Sequence, residues 1–224
     1  MADQEAGERA TPRARYRAQI RQEIKQQALR QLAESGPAGI SVNAIGKELG
    51  VSGPALYRYF ASRDDLLTEL VIDAYNDMAT AVRTAVTAAS GQGRRAHFEA
   101  FARACRSWAL AEPHRYRLLF DAPLPGYDPN AERLIEAAQA SMELLIEVLP
   151  APSAEAKPSE ALASQTARWM DARGFRAEVP SGLRAVQFWW RLHGFLSLEI
   201  AGGFASMGLD SDALFELELA AVEE

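Results

Sequence analysis

Apolar residues recur along this chain at intervals of three and four, the spacing of one helix face, and no stretch alternates as a strand would. Ile20, Ile24, Ala28, Leu29 and Leu32 predict a helix over 15–35, ended by Gly36 and Pro37. Leu66, Leu67, Leu70, Val71, Tyr75, Met78 and Val82 predict a long helix over 64–89, broken at 90–93 by a run containing Gly91 and Gly93. Further helices are expected over 94–112, 114–121, 130–149, 159–173, 181–200 and 210–222. Residues 122–129 and 174–180 read as loops and 150–158 as a polar linker, while Gly202, Gly203 and Gly208 separate the last two helices. The pattern predicts an all-α fold.

Residues 40–67 carry the densest set of signals. Two short helices and a tight turn are followed by a third helix start. Ile45 and Leu49 are apolar on one face of the first helix and Leu56 and Phe60 on one face of the second, with Val51 in the turn. Gly50 stands where the chain must leave the first helix left-handed, and Gly46 offers a point of close helix approach. Ser41 and Ser52 precede the short helices as candidate caps, and Pro54 sits in a first turn, where its missing N–H costs nothing. Ser62 and Asp65 have capping-box spacing, so the third helix should begin near Arg63. These signals fit a helix-turn-helix, whose second helix can enter a DNA major groove, and equally three ordinary short helices of a bundle.

The run resembles the DNA-binding domain of the TetR family of bacterial transcriptional regulators. The shared pattern is Ile40-Ser41, Leu-Gly-Val-Ser at 49–52, Ala-Leu-Tyr-x-Tyr/His-Phe at 55–60, the basic Arg63, and the acids and leucines of 64–67. The resemblance covers residues 14 to 75. It implies a three-helix DNA-binding domain over 14–63, joined to a larger helical ligand-binding and dimerisation domain over 64–224. By position it implies that Asn43, Gly53, Pro54 and Ala55 face base edges, and that Ser41, Ser52, Tyr57, Tyr59 and Arg63 meet phosphates. Gly53 departs from the polar residue common there, which implies fewer direct base contacts and more reading of DNA shape.

Charge at first argues against a nucleic-acid partner, because the net charge is −6. The distribution reverses that. Residues 1–63 hold ten Lys/Arg against six Asp/Glu, and the remainder fourteen against twenty-four. Arg9, Arg13, Arg15, Arg17, Arg21, Lys25 and Arg30 share a span containing one acid, Glu23. Such a run attracts phosphate or forms a solvated helix face, and its place beside the helix-turn-helix favours the first. The lone Cys105 can form no internal disulfide, no apolar run spans a bilayer, and the N-terminus is too polar for a signal peptide; a cytoplasmic protein is expected.

In the C-terminal part, Phe188, Trp189, Trp190, Leu192, Phe195, Leu196 and Leu198 occupy several faces of one helix. A helix apolar nearly all round is covered on more than one side, as a central core helix or as one shared between core and a second subunit. The family resemblance, including a Trp-x-x-x-His-Gly run at 189–194, implies the latter: a homodimer joined through Phe188, Trp189, Leu192, Phe195, Leu196, Leu214, Phe215 and Leu217. Two recognition helices about one DNA turn apart (roughly 34–36 Å) would read a palindromic operator. The resemblance also implies an effector pocket, for which His97, Phe98, Phe101, Trp108, Phe120, Met142 and Trp169 supply apolar and aromatic lining, with His114 and Arg106 as further anchors. For each, ordinary packing competes with ligand contact.

Enzyme signatures are poor. The Gly-x-Gly-x-x-Ala at 91–96 follows a helix rather than a strand and is no dinucleotide fingerprint. Phosphate-loop, zinc-protease and nucleophile-elbow motifs are absent, and Cys105 with His97 and His114 lacks the spacing of a metal site. No catalytic residue, metal or cofactor is expected. The expectation is a ligand-responsive DNA-binding regulator of the repressor type, released by a small apolar or aromatic effector; the rival is an all-α dimeric protein-interaction module without an operator.

Overall fold

A computed structural model describes residues 11–120, 132–149 and 158–222. The expected loop at 122–129, most of the linker at 150–158, and Arg9 lie outside them. The described residues hold eleven α-helices and no strand. They fall into two compact units, divided between Val71 and Ile72.

The first unit opens with α1 (Pro12–Ser35), which starts earlier than its apolar stripe predicts. Thr11 is the reason: its hydroxyl accepts the Ala14 N–H at 3.2 Å, and Pro12 supplies a ready-made helical φ. Gly36, at φ 69°, ends the helix with its N–H on the Leu32 carbonyl. A 3-10 turn, Pro37–Gly39, leads to α2 (Val42–Glu48), capped by Ser41 through the Ala44 N–H at 3.3 Å. Gly50, at φ 66°, reverses the chain as expected.

The second short helix differs from the sequence expectation. α3 is only Gly53–Leu56, and Ser52 stands at its cap without making a side-chain bond. The chain continues in turns, with Tyr59 N–H on the Leu56 carbonyl at 2.8 Å and Phe60 N–H on the same carbonyl at 3.1 Å. Leu56 and Phe60 therefore still point inward although Phe60 lies outside the helix. α4 (Arg63–Ala88) begins where the cap predicted. Ser62 accepts the Asp65 N–H, but Asp65 returns its carboxylate to Ala61 rather than to Ser62. Ile24, Ala28, Leu32, Ile45, Leu56 and Leu66 close the core of this unit.

The second unit takes the rest of α4 with α5 (Arg94–Ala111), α6 (Pro113–Phe120) apart from its last residue, Phe120, which belongs to the first unit, α7 (Glu132–Val148), α8 (Glu160–Arg173), α9 (Val179–Ile200), α10 (Gly203–Ser206) and α11 (Ser211–Ala220). α5, α7 and α9 pack on one another and α8 lies along α9. Val179 and Pro180, expected in a loop, form the first turn of α9, where proline is well suited. The four-residue α10 was not visible in the sequence, since its flanking glycines read as a break. The Phe98 and Phe188 rings meet edge to face at 4.8 Å in the centre of the unit. Arg106, from α5, bonds both carboxylate oxygens of Glu199 on α9 and also Asp212 on α11.

Candidate nucleic-acid interface

Local chemistry builds a presenting surface at α2 and α3. Gly46 has no side chain because none fits: a Cβ would lie 2.8 Å from the Val51 carbonyl oxygen and 3.0 Å from Leu56 Cδ1. The two short helices therefore approach closely, and the start of α2 comes beside the start of α3. Asn43 Oδ1 lies 3.1 Å from the place a Gly53 Cβ would take. Of the residues expected to face bases, Asn43 and Pro54 are exposed, and Gly53 and Ala55 are partly covered.

The residues expected to meet phosphate divide. Ser41 and Ser52 are exposed, and Tyr57 keeps 50% of its surface in solvent. Tyr59 is half-buried, with its carbonyl held by the Arg21 guanidinium. Arg63 is turned inward: its Nε donates to the Ile40 carbonyl at 3.0 Å and its NH2 to the Pro37 carbonyl at 2.7 Å. The side chain braces the entry to α2. Two cations went unnamed in the sequence reading. Lys47, one turn after Asn43, and Arg58, beside Tyr57, are both exposed. Their signal was the i, i+4 spacing from Asn43 and adjacency to the tyrosine.

The basic run of α1 also serves two ends. Arg17 donates to the Arg58 carbonyl at 3.1 Å, and Arg21 pairs with Glu69 at 3.2 Å while lying 4.2 Å from the Phe60 ring centre. These arginines satisfy carbonyls that the short α3 leaves open. Arg13 and Arg15, further out, are exposed.

The expected effector residues have different surroundings. Phe98 and Phe101 are fully buried in the helix core, and Trp108 donates its indole N–H to Asp77 at 3.0 Å. Trp169 meets Phe175 edge-on, while Met142 and Phe120 are half-buried. Arg106 is consumed by Glu199 and Asp212. His97 lines an open groove of about 800 Å³, with Arg83, Arg94, Leu144 and Val148 among its walls. The expected subunit-contact residues divide: Leu217 is exposed, and Trp189, Phe195 and Leu214 are partly covered. Phe188, Leu192, Leu196 and Phe215 are 1–3% exposed, interior to the single chain because they face α5 and its neighbours. On α9 and α11 themselves the large apolar residues left exposed are Trp190 (56%), Leu198 (50%) and Leu217 (68%).

A helix-turn-helix followed in the same chain by a larger helical bundle defines a regulator with its own DNA-reading unit. A family model described as "Bacterial regulatory proteins, tetR family" matches residues 24–70, and one described as "Tetracyclin repressor-like, C-terminal domain" matches 98–222. The HTH-type transcriptional regulators Rv1816 of Mycobacterium tuberculosis and Mb1846 of Mycobacterium bovis are each 31% identical over 197 residues, covering 84% of this chain and 84% of their own. The solved structure of the regulatory protein SCO4313 is 41% identical with a TM-score of 0.79, over 95% of this chain and 98% of that one. A TetR family regulator from Shewanella sp. PV-4, 20% identical with a TM-score of 0.58 over 90% and 96%, shares the fold. The chain belongs to the TetR family of bacterial transcriptional regulators. No helix among the described residues is long and apolar enough to cross a membrane.

Proposed function

We propose that this regulator binds a palindromic operator as a homodimer in the cytoplasm, represses transcription from it, and is released by a small apolar or aromatic effector held in the C-terminal unit. The observation that carries the reading is the surface of α2, α3 and the turn after α3, where Asn43, Lys47, Pro54, Tyr57 and Arg58 are all exposed and the two helices are locked by the Gly46 contact. In that reading Asn43, Gly53, Pro54 and Ala55 meet base edges. Tyr57, Lys47 and Arg58 supply the main phosphate contacts, with Ser41 and Ser52 beside them. Tyr59 and Arg63 hold the unit in shape.

The dimer part rests on Trp190, Leu198 and Leu217. Gln187, Trp190, Arg191, Gly194, Ser197 and Leu198 form one exposed stripe of α9, with Trp190 and Leu198 apolar and small residues between them, able to seat a second helix. Leu217 extends it onto α11.

Selection of fragmented genomic DNA on the purified full-length protein tests the function. An enriched palindrome whose binding weakens steeply with salt is the expected result. A folded dimer that enriches nothing at low salt would overturn it.

A further inference from the structure

Gly53 has no conformational reason to be glycine. Among the described residues the left-handed glycines are Gly36, Gly50, Gly91, Gly93, Gly174, Gly202 and Gly208, and Gly53 is not one of them. It occupies the first position of α3 with ordinary helical backbone, where glycine costs entropy relative to alanine. What its missing Cβ provides is space. The nearest atom to that Cβ position is Asn43 Oδ1 at 3.1 Å, closer than a carbon and an oxygen pack without one of them giving way.

Asn43 would be the one to move. It is exposed at the second position of α2, and its carboxamide makes no hydrogen bond to any described residue that would hold it against a push. Within residues 40–67 it is the only carboxamide; that of Gln31, from α1, accepts the Ser41 N–H at 2.9 Å. Gly53, Pro54 and Ala55 bring no side-chain donor or acceptor to the front of α3. A carboxamide presents a donor and an acceptor side by side, the pattern that matches adenine N7 and N6 in the major groove.

We propose that Gly53 sets the base preference of this regulator by leaving room for the Asn43 carboxamide at the mouth of α3, where Asn43 reads an adenine. This rests on the DNA-binding reading above. The residue at 53 is then a positioning residue that acts through 43, and a methyl group there makes the Asn43 carboxamide give way by a few tenths of an ångström, off its line to the base, while leaving the fold intact.

The test is selection from a pool of random duplex DNA on four full-length proteins: wild type, Asn43→Ala, Gly53→Ala and the double variant. Thermal melting confirms that each is folded. Wild type should enrich a palindrome with an adenine at one position of each half-site. Asn43→Ala should lose roughly tenfold or more of that preference. Gly53→Ala should lose it at the same position, and the double variant should lose no more than either single one, since both act through one contact. Retention of the adenine in Gly53→Ala overturns the positioning role, and so does an additive loss in the double variant, which would show the new methyl acting on its own. Retention in Asn43→Ala overturns the reader. A wild-type protein that enriches no motif overturns the DNA-binding reading itself, and this proposal with it.

Discussion

Val51 donates its N–H to the Gly46 carbonyl at 2.8 Å, and turns its own carbonyl oxygen to within 2.8 Å of where a Gly46 side chain would begin. The pair is a backbone clasp across the turn between α2 and α3, and it leaves no volume for a methyl group. Leu56 closes the other side, 1% exposed.

Gly46→Ala is therefore expected to destabilise the N-terminal unit. The clashing partner is a backbone oxygen, fixed by its hydrogen-bonded turn, so relief requires the helices to part. Overpacking of this kind costs about 1–3 kcal/mol, against a gain of under about 1 kcal/mol from replacing a helical glycine. Urea unfolding should show a lower midpoint, and DNA affinity should fall with it. Unchanged stability would mean that the turn is looser than its geometry.

Arg63→Ala is expected to act on shape before charge. The guanidinium satisfies the Ile40 and Pro37 carbonyls, and hydrogen bonds to charged groups contribute about 1.5–3 kcal/mol. Arg63→Lys supplies one donor group without the fork and should recover only part of the loss. Hydrogen exchange at α2 should rise in both variants with no DNA present. If exchange is untouched and only DNA affinity drops, Arg63 is a phosphate contact after all.

Arg106→Met removes the cation from Glu199, whose side chain is 8% exposed. Leaving a buried carboxylate unpaired costs about 3–5 kcal/mol, and the arginine also lies 4.8 Å from the Phe215 ring centre. The thermal midpoint should fall clearly, and adding Glu199→Gln should restore part of it. A loss that the second change does not relieve would assign the effect to packing on Phe215.

His193 gives the second unit a pH dependence. Its imidazole sits against Trp189 and beside the Tyr116 hydroxyl, and burial pushes its pKa down from 6.5 to about 4. Between those values the unfolded chain binds a proton that the folded chain refuses, so stability falls as pH drops from about 6.5 toward 4 and levels below that. His193→Gln should flatten this part of the pH–stability curve. An equal slope in the variant would place the titration elsewhere.

Cys105 is wholly buried, and burial pushes its thiol up to about 12. A thiol reagent should label it only under denaturing conditions. Rapid labelling of the native protein would reveal an opening of the α5 face.

Sequence alone carried the features whose causes are local. Gly36 and Gly50 end helices because they adopt positive φ, Ser41 caps because its hydroxyl is one turn from the free N–H groups, and Pro54 falls where no N–H is needed. The whole helix-turn-helix pattern is of this kind, which is why residues 40–67 sufficed to place the chain in its family. Side-chain direction was decided only by the fold. Nothing near Arg63 in sequence indicates that carbonyls 23 and 26 residues earlier would claim it. Nor could helical spacing sort α9, apolar on several faces, into the buried Phe188, Leu192 and Leu196 and the exposed Trp190 and Leu198. Periodicity fixes angles around a helix axis, but which angle faces protein and which faces solvent depends on neighbours that arrive from distant parts of the chain.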